Sequence, residues 1–393
     1  MKDKYKKRVI NKIEEIKQDL FDIADYIFEN PEFCFKEYKA HAKLTAYLEE
    51  NGFNITKKVA GLDTAFKAVY NGKKTGYNIG LFCEYDAVYP KGHCCGHNLM
   101  AVMGVGAGIA LREIVDEIGG TISVFGTPAE EGGGGKIIML RNGAFEELDA
   151  AIILHPANET VVNDKSYSVT DVIIEFFGVK SHAATYPEDG ISALNPMLQV
   201  FNIVNGMRHE LNGKGHILGV IKDGGENPIY TPDYTKAHFT IRSFDPDIKK
   251  NLVDRFLGIC EHVANITNTG FKYQFNKLSY EAIKNNKVIE NLLAENFICL
   301  GEAVESRDKI LGIGSTDMGN VTRTIPSLQS YVKLDDNLMA HSDELMQAAS
   351  DARGKKTILV GAKAMAMTTI DLLNKDNMEY VKQTFDLQNK KYM

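Results

Sequence analysis

The chain has 393 residues, which is too many for one ordinary hydrophobic core and favours two domains. Apolar residues make up 44% and charged residues 25%, as in a folded globular protein. The net charge of -7 argues against the basic surface that nucleic-acid binding requires, so no nucleic-acid partner is expected. No stretch reaches the roughly 18 uncharged apolar residues of a membrane helix, so no membrane association is expected.

The compartment is indicated by the N-terminal stretch and by the cysteines. Residues 1–17 are dense in lysine and glutamate and lack the apolar segment of a signal peptide. Six cysteines in a chain of this length do not form a disulfide framework. We therefore expect a cytoplasmic protein, in which neighbouring cysteine and histidine side chains favour a metal site.

Helices and short strands alternate through the first part of the chain. Apolar residues at helical spacing predict three helices, over residues 5–29, 36–50 and 98–115. Short apolar runs between turn residues predict four strands, over residues 65–70, 78–82, 121–125 and 150–154. This alternation is typical of an α/β sheet with helices on both faces.

The pattern changes after residue 167. The next segment predicts strands and helices in the order β-α-β-β-α-β, over residues 168–177, 195–210, 216–221, 234–243, 247–266 and 271–275. Helix and strand patterns then return, over residues 288–300, 330–333 and 355–373. We predict one discontinuous α/β domain of residues 1–167 and 280–393, interrupted by an inserted domain of residues 168–279.

The strongest local motif is the segment 93–98, between a predicted strand and a predicted helix. Cys95 and His97 stand two residues apart, so both can reach one metal ion from a tight turn, which Gly96 permits. A thiolate with an imidazole favours zinc or a similar transition-metal ion over magnesium or calcium. Such pairs also occur among ordinary buried residues, so this pair alone is weak evidence for a metal site.

Two adjacent carboxylates follow the predicted strand 121–125. Glu130 and Glu131 stand in a glycine-rich loop, where one can bind a metal ion while the other takes a proton from water. A solvent-exposed acidic turn is the alternative. A phosphate-binding loop is excluded, because no Lys-Ser or Lys-Thr pair follows the glycines at the required spacing.

A third polar group is His155, at the end of the predicted strand 150–154. Single histidines are more often structural than metal-binding. Here three polar clusters follow three successive strands, and α/β sheets gather their ligands at the carboxyl ends of strands. The segment around His341 carries no prediction by itself.

In this order the motifs make the chain resemble the M20 family of metallopeptidases and amidohydrolases. It is most similar to the branch that contains one of the subunits of aminobenzoyl-glutamate hydrolase and the mammalian dipeptidases for β-alanyl and Xaa-Arg or Xaa-Lys dipeptides. The similar segments span almost the whole chain: 30–32 with Glu37, 84–87, 95–98, 126–131, 155–156, 181–187, 314–321 and 340–342. The resemblance implies a phosphorylase/hydrolase-like α/β catalytic domain with an inserted, ferredoxin-like α+β domain that serves as lid and dimerisation domain.

The resemblance also implies a catalytic centre with two divalent metal ions, zinc or manganese, with cobalt as a further possibility. The implied metal ligands are Cys95, His97, Glu131, His155 and His341, with Cys95 bridging the two ions. Glu130 is implied as the general base, which takes a proton from water and later protonates the leaving amine. Asp86 is implied as a residue that orients a metal ligand.

Further implied residues belong to substrate binding. His182 matches a histidine that, in family members, reaches the active site of the partner subunit and stabilises the oxyanion. This resemblance implies a homodimer through the inserted domain. Arg242 stands where the family often binds a substrate carboxylate, although exposed strand arginines are common. Gly314, Ser315 and Thr316 are implied to offer backbone N–H groups to the substrate.

The sequence departs from the family pattern at two positions. Glu84 stands where many M20 enzymes have a histidine ligand, and the most similar branch shares this glutamate and uses His97 in compensation. Ile229 stands where the family often has an asparagine that contacts substrate. Asn227, two residues earlier, is the alternative contact.

We expect metal-dependent hydrolysis of an amide bond in a small substrate that carries a carboxylate. Such substrates are dipeptides and N-acyl or N-aroyl amino acids, so the expected enzyme is a metallo-amidohydrolase or dipeptidase. Hydrolytic deamination at the same two-metal site is the alternative. A non-catalytic ligand-binding protein is a further, weaker one.

Overall fold

The computed structural model describes residues 2–276, 278–306 and 314–390. The described residues fall into two compact units. The first lies within Met1–Lys165, Ile283–Gly312 and Asp317–Met393, and the second within Ser166–Ala282 and Ile313–Thr316.

Ten strands are described, and they form one sheet in each unit. Their bounds are β1 (Asn54–Lys57), β2 (Phe66–Asn71), β3 (Asn78–Cys83), β4 (Thr121–Gly126), β5 (Ala150–Ala157), β6 (Ser168–Phe177), β7 (His216–Asp223), β8 (Tyr234–Ser243), β9 (Gly270–Phe275) and β10 (Ser327–Lys333). The sheet of the first unit has the order β1-β2-β4-β3-β5-β10, and that of the second unit the order β7-β8-β6-β9.

Twelve α-helices are described. Their bounds are α1 (Lys2–Glu15), α2 (Lys17–Glu29), α3 (Tyr38–Glu50), α4 (His97–Ile118), α5 (Gly135–Arg141), α6 (Leu194–Leu211), α7 (Pro246–Ile266), α8 (Lys287–Cys299), α9 (Met318–Thr322), α10 (Asp343–Ser350), α11 (Ala352–Leu372) and α12 (Lys375–Lys390).

In the first unit, strands β4, β3, β5 and β10 run parallel to one another, and β2 pairs antiparallel with β4. Parallel neighbours bring the carboxyl ends of β3, β4 and β5 to one edge of the sheet. The motifs predicted to bind metal follow or end these three strands. The topology therefore gathers them, although they lie far apart in sequence.

Helix α4 packs directly on this sheet because its glycines leave no side chain in between. A Cβ atom added at Gly104 would lie 2.5 Å from the Cys83 sulfur, and one at Gly108 would lie 2.5 Å from a Val124 methyl group. Among the described helices, α4 alone is long and apolar enough to cross a membrane, and 89% of its apolar stretch is buried inside the protein. Buried core helices have the same composition.

The second unit has an antiparallel sheet with α6 and α7 packed on one face. Alternate residues of β8 are buried against these helices, as expected for a sheet with one covered face. A parallel-rich sheet and a separate antiparallel sheet confirm the mixed α/β, two-domain fold class predicted from the sequence.

The structure differs from the sequence prediction at several elements of the first unit. The predicted helix 5–29 is two helices that are separated at Ile16. Strand β1 escaped prediction because it is only four residues long and mostly exposed. Helix α12 escaped prediction because it buries only Met378 and Val381, which gives a weak apolar period.

Candidate metal centre

Two groups of side chains that could hold a metal ion share one cysteine. Cys95, His97 and His155 place one ligand atom each within 4.8 Å of one another, and so do Cys95, Glu131 and His341. The Cys95 sulfur lies 3.3 Å from His155 Nε2. His341 Nε2 lies 3.0 Å from Glu131 Oε1. The five side chains implied as ligands by the sequence resemblance therefore lie together in the first unit.

The local backbone presents these side chains. Cys95 and His97 flank Gly96, whose φ of 81° is the left-handed conformation that glycine adopts without strain. His97 begins α4, so its ring is held by the core helix. His341 also has a positive φ, of 63°, and its backbone N–H donates to the Cys94 carbonyl at 3.1 Å. That bond attaches the C-terminal loop to the Cys95 turn.

The donor atoms fit a transition-metal ion. Thiolate, imidazole and carboxylate are the groups that bind zinc and its neighbours. Two atoms bound to one tetrahedral zinc ion lie roughly 3.3–3.6 Å apart, close to the spacing of the Cys95–His155 pair. His97 Nε2 is buried and forms no hydrogen bond among the described residues, which suits a ligand nitrogen, and Glu84 Oε2 lies 3.2 Å from it.

Asp86 contacts both ends of this site. Its carboxylate Oδ1 lies 3.1 Å from His97 Nδ1, and its backbone oxygen lies 2.9 Å from the same nitrogen. Its Oδ2 accepts the backbone N–H of Glu131 at 2.9 Å. A proton on His97 Nδ1 would leave Nε2 free to bind metal, as carboxylate partners of metal-binding histidines commonly ensure. Burial alone would raise the pKa of Asp86, but the neighbouring His97 holds it below its ordinary value.

His155 and Glu131 have protonation states that suit metal binding, whereas burial raises the pKa of the Cys95 thiol, and Cys95 and Asp86 raise the pKa of His97 against the effect of burial. Burial, followed by the charge of His97, lowers the pKa of His155 to about 4, so its ring is neutral near pH 7. Burial alone would raise the pKa of Glu131, but the hydrogen bond with His341 lowers it to about 2. Glu131 is therefore an anion over the whole physiological range.

Glu130 has a different environment from its neighbour Glu131. Glu130, Glu84 and His97 form a third group that could hold a metal ion, in which one ligand atom of each side chain lies within 4.8 Å of the other two. Burial and then the charges of Glu84 and Asp317 raise the pKa of Glu130 well above its ordinary value. Two adjacent carboxylates whose pKa values are pushed in opposite directions are suited to different roles, one as metal ligand and one as proton carrier.

Sequence reasoning missed a buried ion-pair cluster beside this centre. Lys136 Nζ lies 2.6 Å from Glu84 Oε1 and 2.7 Å from Asp317 Oδ1, and the Lys136 backbone N–H donates to Asp317 Oδ2 at 2.8 Å. All three side chains are almost fully buried. The available signal was a single lysine at the start of an otherwise apolar stretch, which is unusual in a buried helix.

The remaining predicted residues lie in the second unit. His182 Nδ1 accepts the backbone N–H of Thr185 at 3.1 Å, and His182 lines a surface pocket with Ala183, Ala184, Pro228 and Ile229. The Asn227 side chain accepts the N–H of Ile229 at 3.0 Å, so it is engaged in a local turn. Ile229 itself is 50% exposed.

Arg242 and the segment 314–316 complete this set. Arg242 stands on β8 between Val169 and His216 of the neighbouring strands. Its Nε is buried without a hydrogen-bond partner in the part of the chain that the structure describes. The Gly314 carbonyl accepts the backbone N–H of Tyr167 at 2.9 Å. The Gly314 N–H takes no part in this hydrogen bond.

Comparison with known proteins identifies relatives along most of the chain. The model of peptidase family M20/M25/M40 matches residues 71–370. The Xaa-Arg dipeptidase of Mus musculus is 31% identical over 386 residues, which cover 94% of this chain and 89% of that protein. One of the subunits of the p-aminobenzoyl-glutamate hydrolase of Escherichia coli is 30% identical, over 72% of this chain and 62% of its own length.

Solved structures share the fold. One is a dinuclear metal-binding peptidase of the M20 family from Bacillus subtilis, with a TM-score of 0.72 and 18% identity over 92% of this chain and 99% of that chain. Another is an aminobenzoyl-glutamate utilization protein from Klebsiella pneumoniae, with a TM-score of 0.69 and 15% identity over 92% of this chain and 98% of that chain.

Proposed function

The chain belongs to peptidase family M20/M25/M40 and is a peptidase or amidohydrolase, and from this premise we propose its specific reaction and site. We propose that it hydrolyses an amide bond in a small, carboxylate-bearing substrate, either a dipeptide or an N-acyl or N-aroyl amino acid. One observation carries the proposal: Cys95 belongs to two three-residue ligand groups, and a separate carboxylate, Glu130, lies beside them. The names of the dipeptidase and aminobenzoyl-glutamate hydrolase relatives support the substrate class.

The centre is proposed to hold two divalent ions, zinc or manganese, with cobalt as a third candidate. One ion would be held by Cys95, His97 and His155, and the other by Cys95, Glu131 and His341. When bound, the ions would lower the pKa of water and polarise the scissile carbonyl.

The chain's own residues are proposed to move the proton. Glu130 takes it from the attacking water and delivers it to the nitrogen of the leaving amine. Burial and the charges of Glu84 and Asp317 raise the pKa of Glu130, which makes its carboxylate a stronger base toward the proton of water than an ordinary glutamate. Asp86 is proposed to fix the orientation of His97 through its bonds to Nδ1.

Substrate recognition is proposed for residues of the second unit, which we propose to be the lid and dimerisation domain. Arg242 would bind the substrate carboxylate, and its buried Nε, which has no hydrogen-bond partner among the described residues, supports a binding role. His182 would stabilise the oxyanion in the active site of a partner subunit. The backbone N–H groups of Gly314, Ser315 and Thr316 are proposed as further contacts. Because the Asn227 side chain is engaged in a local turn, Ile229 rather than Asn227 is proposed to face the substrate, as an apolar part of the pocket beside His182.

A homodimer is proposed through strand β7 and helix α6. Strand β7 is an edge strand, so its outer backbone N–H and C=O groups have no strand partner within the described chain. Leu218 and Val220 on β7 are 46% and 50% exposed, and Leu198 on α6 is 46% exposed. An apolar edge of this kind is suited to pairing with a second copy of itself.

The compartment is proposed to be the cytoplasm. All six cysteines are free thiols, which suits a reducing environment.

The test is product analysis by mass spectrometry. The purified protein is stripped of metal, reloaded separately with zinc and with manganese, and offered basic, β-alanyl and acidic dipeptides together with acyl and aminobenzoyl amino acids. Metal-dependent release of a free amino acid is the expected result, and it identifies both the substrate and the working metal. Release of ammonia without an amino acid would instead indicate a deaminase, and no release from any compound would reject the proposed substrate class.

A further inference from the structure

Glu37 is a fully buried carboxylate outside the metal centre. It immediately precedes α3, and its Oε1 accepts the backbone N–H of Phe35 at 2.8 Å. The same oxygen accepts the backbone N–H of Ala129 at 3.1 Å, and Oε2 accepts the Thr64 hydroxyl at 2.7 Å. Both oxygens are therefore used, and one of their partners belongs to the loop after β4.

That loop has a strained backbone next to Glu130. Ala129 has a φ of 61°, a left-handed conformation that residues with a Cβ atom rarely adopt. Such a conformation costs about 1–3 kcal/mol and persists only when the surroundings fix it. Glu37 bonds the N–H of Ala129, and Asp86 bonds the N–H of Glu131. Two carboxylates thus hold the residues on either side of Glu130.

The segment that carries Glu37 also packs tightly on the same loop. A Cβ atom added at Gly133 would lie 2.5 Å from the Ala129 Cβ and 2.6 Å from both the Cys34 sulfur and the Phe35 ring. Only glycine fits at this position without displacing those atoms. The packing is independent of the Glu37 hydrogen bonds, and it indicates that segment 34–37 and the loop fit together as one unit.

We propose that Glu37 is a positioning residue for Glu130: by holding the Ala129 N–H it fixes the left-handed turn that aims the Glu130 carboxylate at the reacting water and leaving group. This inference rests on the proposed role of Glu130 as the general base. Among the described residues, the Glu37 carboxylate forms hydrogen bonds with Phe35, Thr64 and Ala129 and with none of the proposed metal ligands, so its replacement removes no direct contact to a ligand.

Two substitutions at Glu37 separate hydrogen bonding from mere filling of space. In Glu37→Gln the amide oxygen can still accept both backbone N–H groups, while the NH₂ group donates to the Thr64 hydroxyl. In Glu37→Leu the volume is retained and the acceptors are lost. We expect kcat to fall about 100-fold in Glu37→Leu, because small misplacements of a catalytic group have effects of that order.

The controls distinguish positioning from general damage. We expect Glu37→Leu to bind the same number of metal ions as the wild type and to keep KM within about threefold, while Glu37→Gln keeps kcat within about threefold. Hydrogen exchange of the peptide that contains Ala129 and Glu131 should be faster in Glu37→Leu and unchanged in Glu37→Gln. A Glu37→Leu protein with wild-type kcat, or equal losses of kcat in both variants, would overturn the proposal.

A second route tests the same contact if Glu37→Leu does not fold. Gly133→Ala should also lower kcat, speed amide exchange in the loop and leave metal content unchanged. Gly258→Ala on α7, where an added Cβ meets open space, is the matched control and should have no effect. If the wild type releases no product from any substrate, the proposed function fails, and amide exchange then decides on the role of Glu37 alone. Unchanged exchange in Gly133→Ala and in a folded Glu37→Leu would overturn it.

Discussion

Lys136 donates to Glu84 across 2.6 Å in a place where neither side chain has meaningful contact with solvent. Glu84 directs its other oxygen toward His97 Nε2, 3.2 Å away. The carboxylates of Glu84 and Asp317 raise the pKa of Lys136 above its ordinary value, although burial opposes this. The lysine is therefore a permanent cation that compensates a strongly acidic centre.

Removal of this cation is expected to destabilise the fold. Lys136→Met leaves two buried carboxylates without their partner, which costs about 3–5 kcal/mol. Urea unfolding monitored by circular dichroism measures the change. Lys382→Met is the matched control, because Lys382 pairs with Asp149 on the surface and such pairs contribute about 0–1 kcal/mol. Equal losses in the two variants would contradict the importance of the buried cluster.

Metal removal is expected to lower the melting temperature. Ions that bind only the folded state stabilise it by about 2.7 kcal/mol when their free concentration is 100 times Kd. Differential scanning fluorimetry with a chelator, and then with zinc or manganese, measures the shift. Cys95→Ser should lose most of the metal response, because both ligand groups share that sulfur. Cys260→Ser, in the core of the second unit, should retain the response even if its melting temperature is lower.

Stability is expected to fall with acid partly through His41. Burial and then the charge of Lys57 lower the pKa of His41, and its Nε2 has no partner among the described residues. The unfolded chain therefore takes up the proton more readily, so this contribution is present above the ordinary pKa of 6.5 and is lost as the pH falls below it.

His41→Phe preserves the aromatic contact with Phe66 and removes the titration. Urea unfolding at pH 7.5 and pH 5.5 should show a smaller loss of stability in the variant, by at most about 1.4 kcal/mol per pH unit. Identical losses in the two proteins would show that His41 does not contribute.

The proposed dimer predicts a sensitive position on strand β7. Val220→Asp places a charge in the proposed interface, and we expect it to convert the dimer to a monomer in sedimentation velocity at equal protein concentration. Ile266→Asp, on α7 at a position that is 82% exposed in the same unit and outside β7 and α6, should remain dimeric. A monomeric wild type would reject the dimer outright.

The clustering of the proposed metal ligands at strand ends could be predicted from the sequence. Cys95, Glu131 and His155 come after or at the ends of three strands, and parallel pairing must bring such positions to one edge of the sheet. The ion pair of Lys136 with Glu84 could not be predicted from strand order, because it depends on how the start of α5 is placed beside the end of β3. Periodicity and strand order contain no information on that placement.

The same limit applies to Glu37 and Ala129. Nothing in the local sequence predicts a left-handed alanine, since alanine has no preference for that conformation. The conformation is fixed by a carboxylate 92 positions earlier in the chain. Contacts of this kind arise from tertiary packing, so they become visible only in the folded chain.

The most direct test of the central claim is the Glu130→Gln variant, assayed for metal content and product release with the substrate that the wild type cleaves best. Glutamine keeps the shape of the side chain but cannot take up a proton from water at neutral pH. We predict the same number of bound metal ions as in the wild type and a loss of turnover of at least about 100-fold. Turnover near that of the wild type would contradict the assignment of Glu130 as the general base.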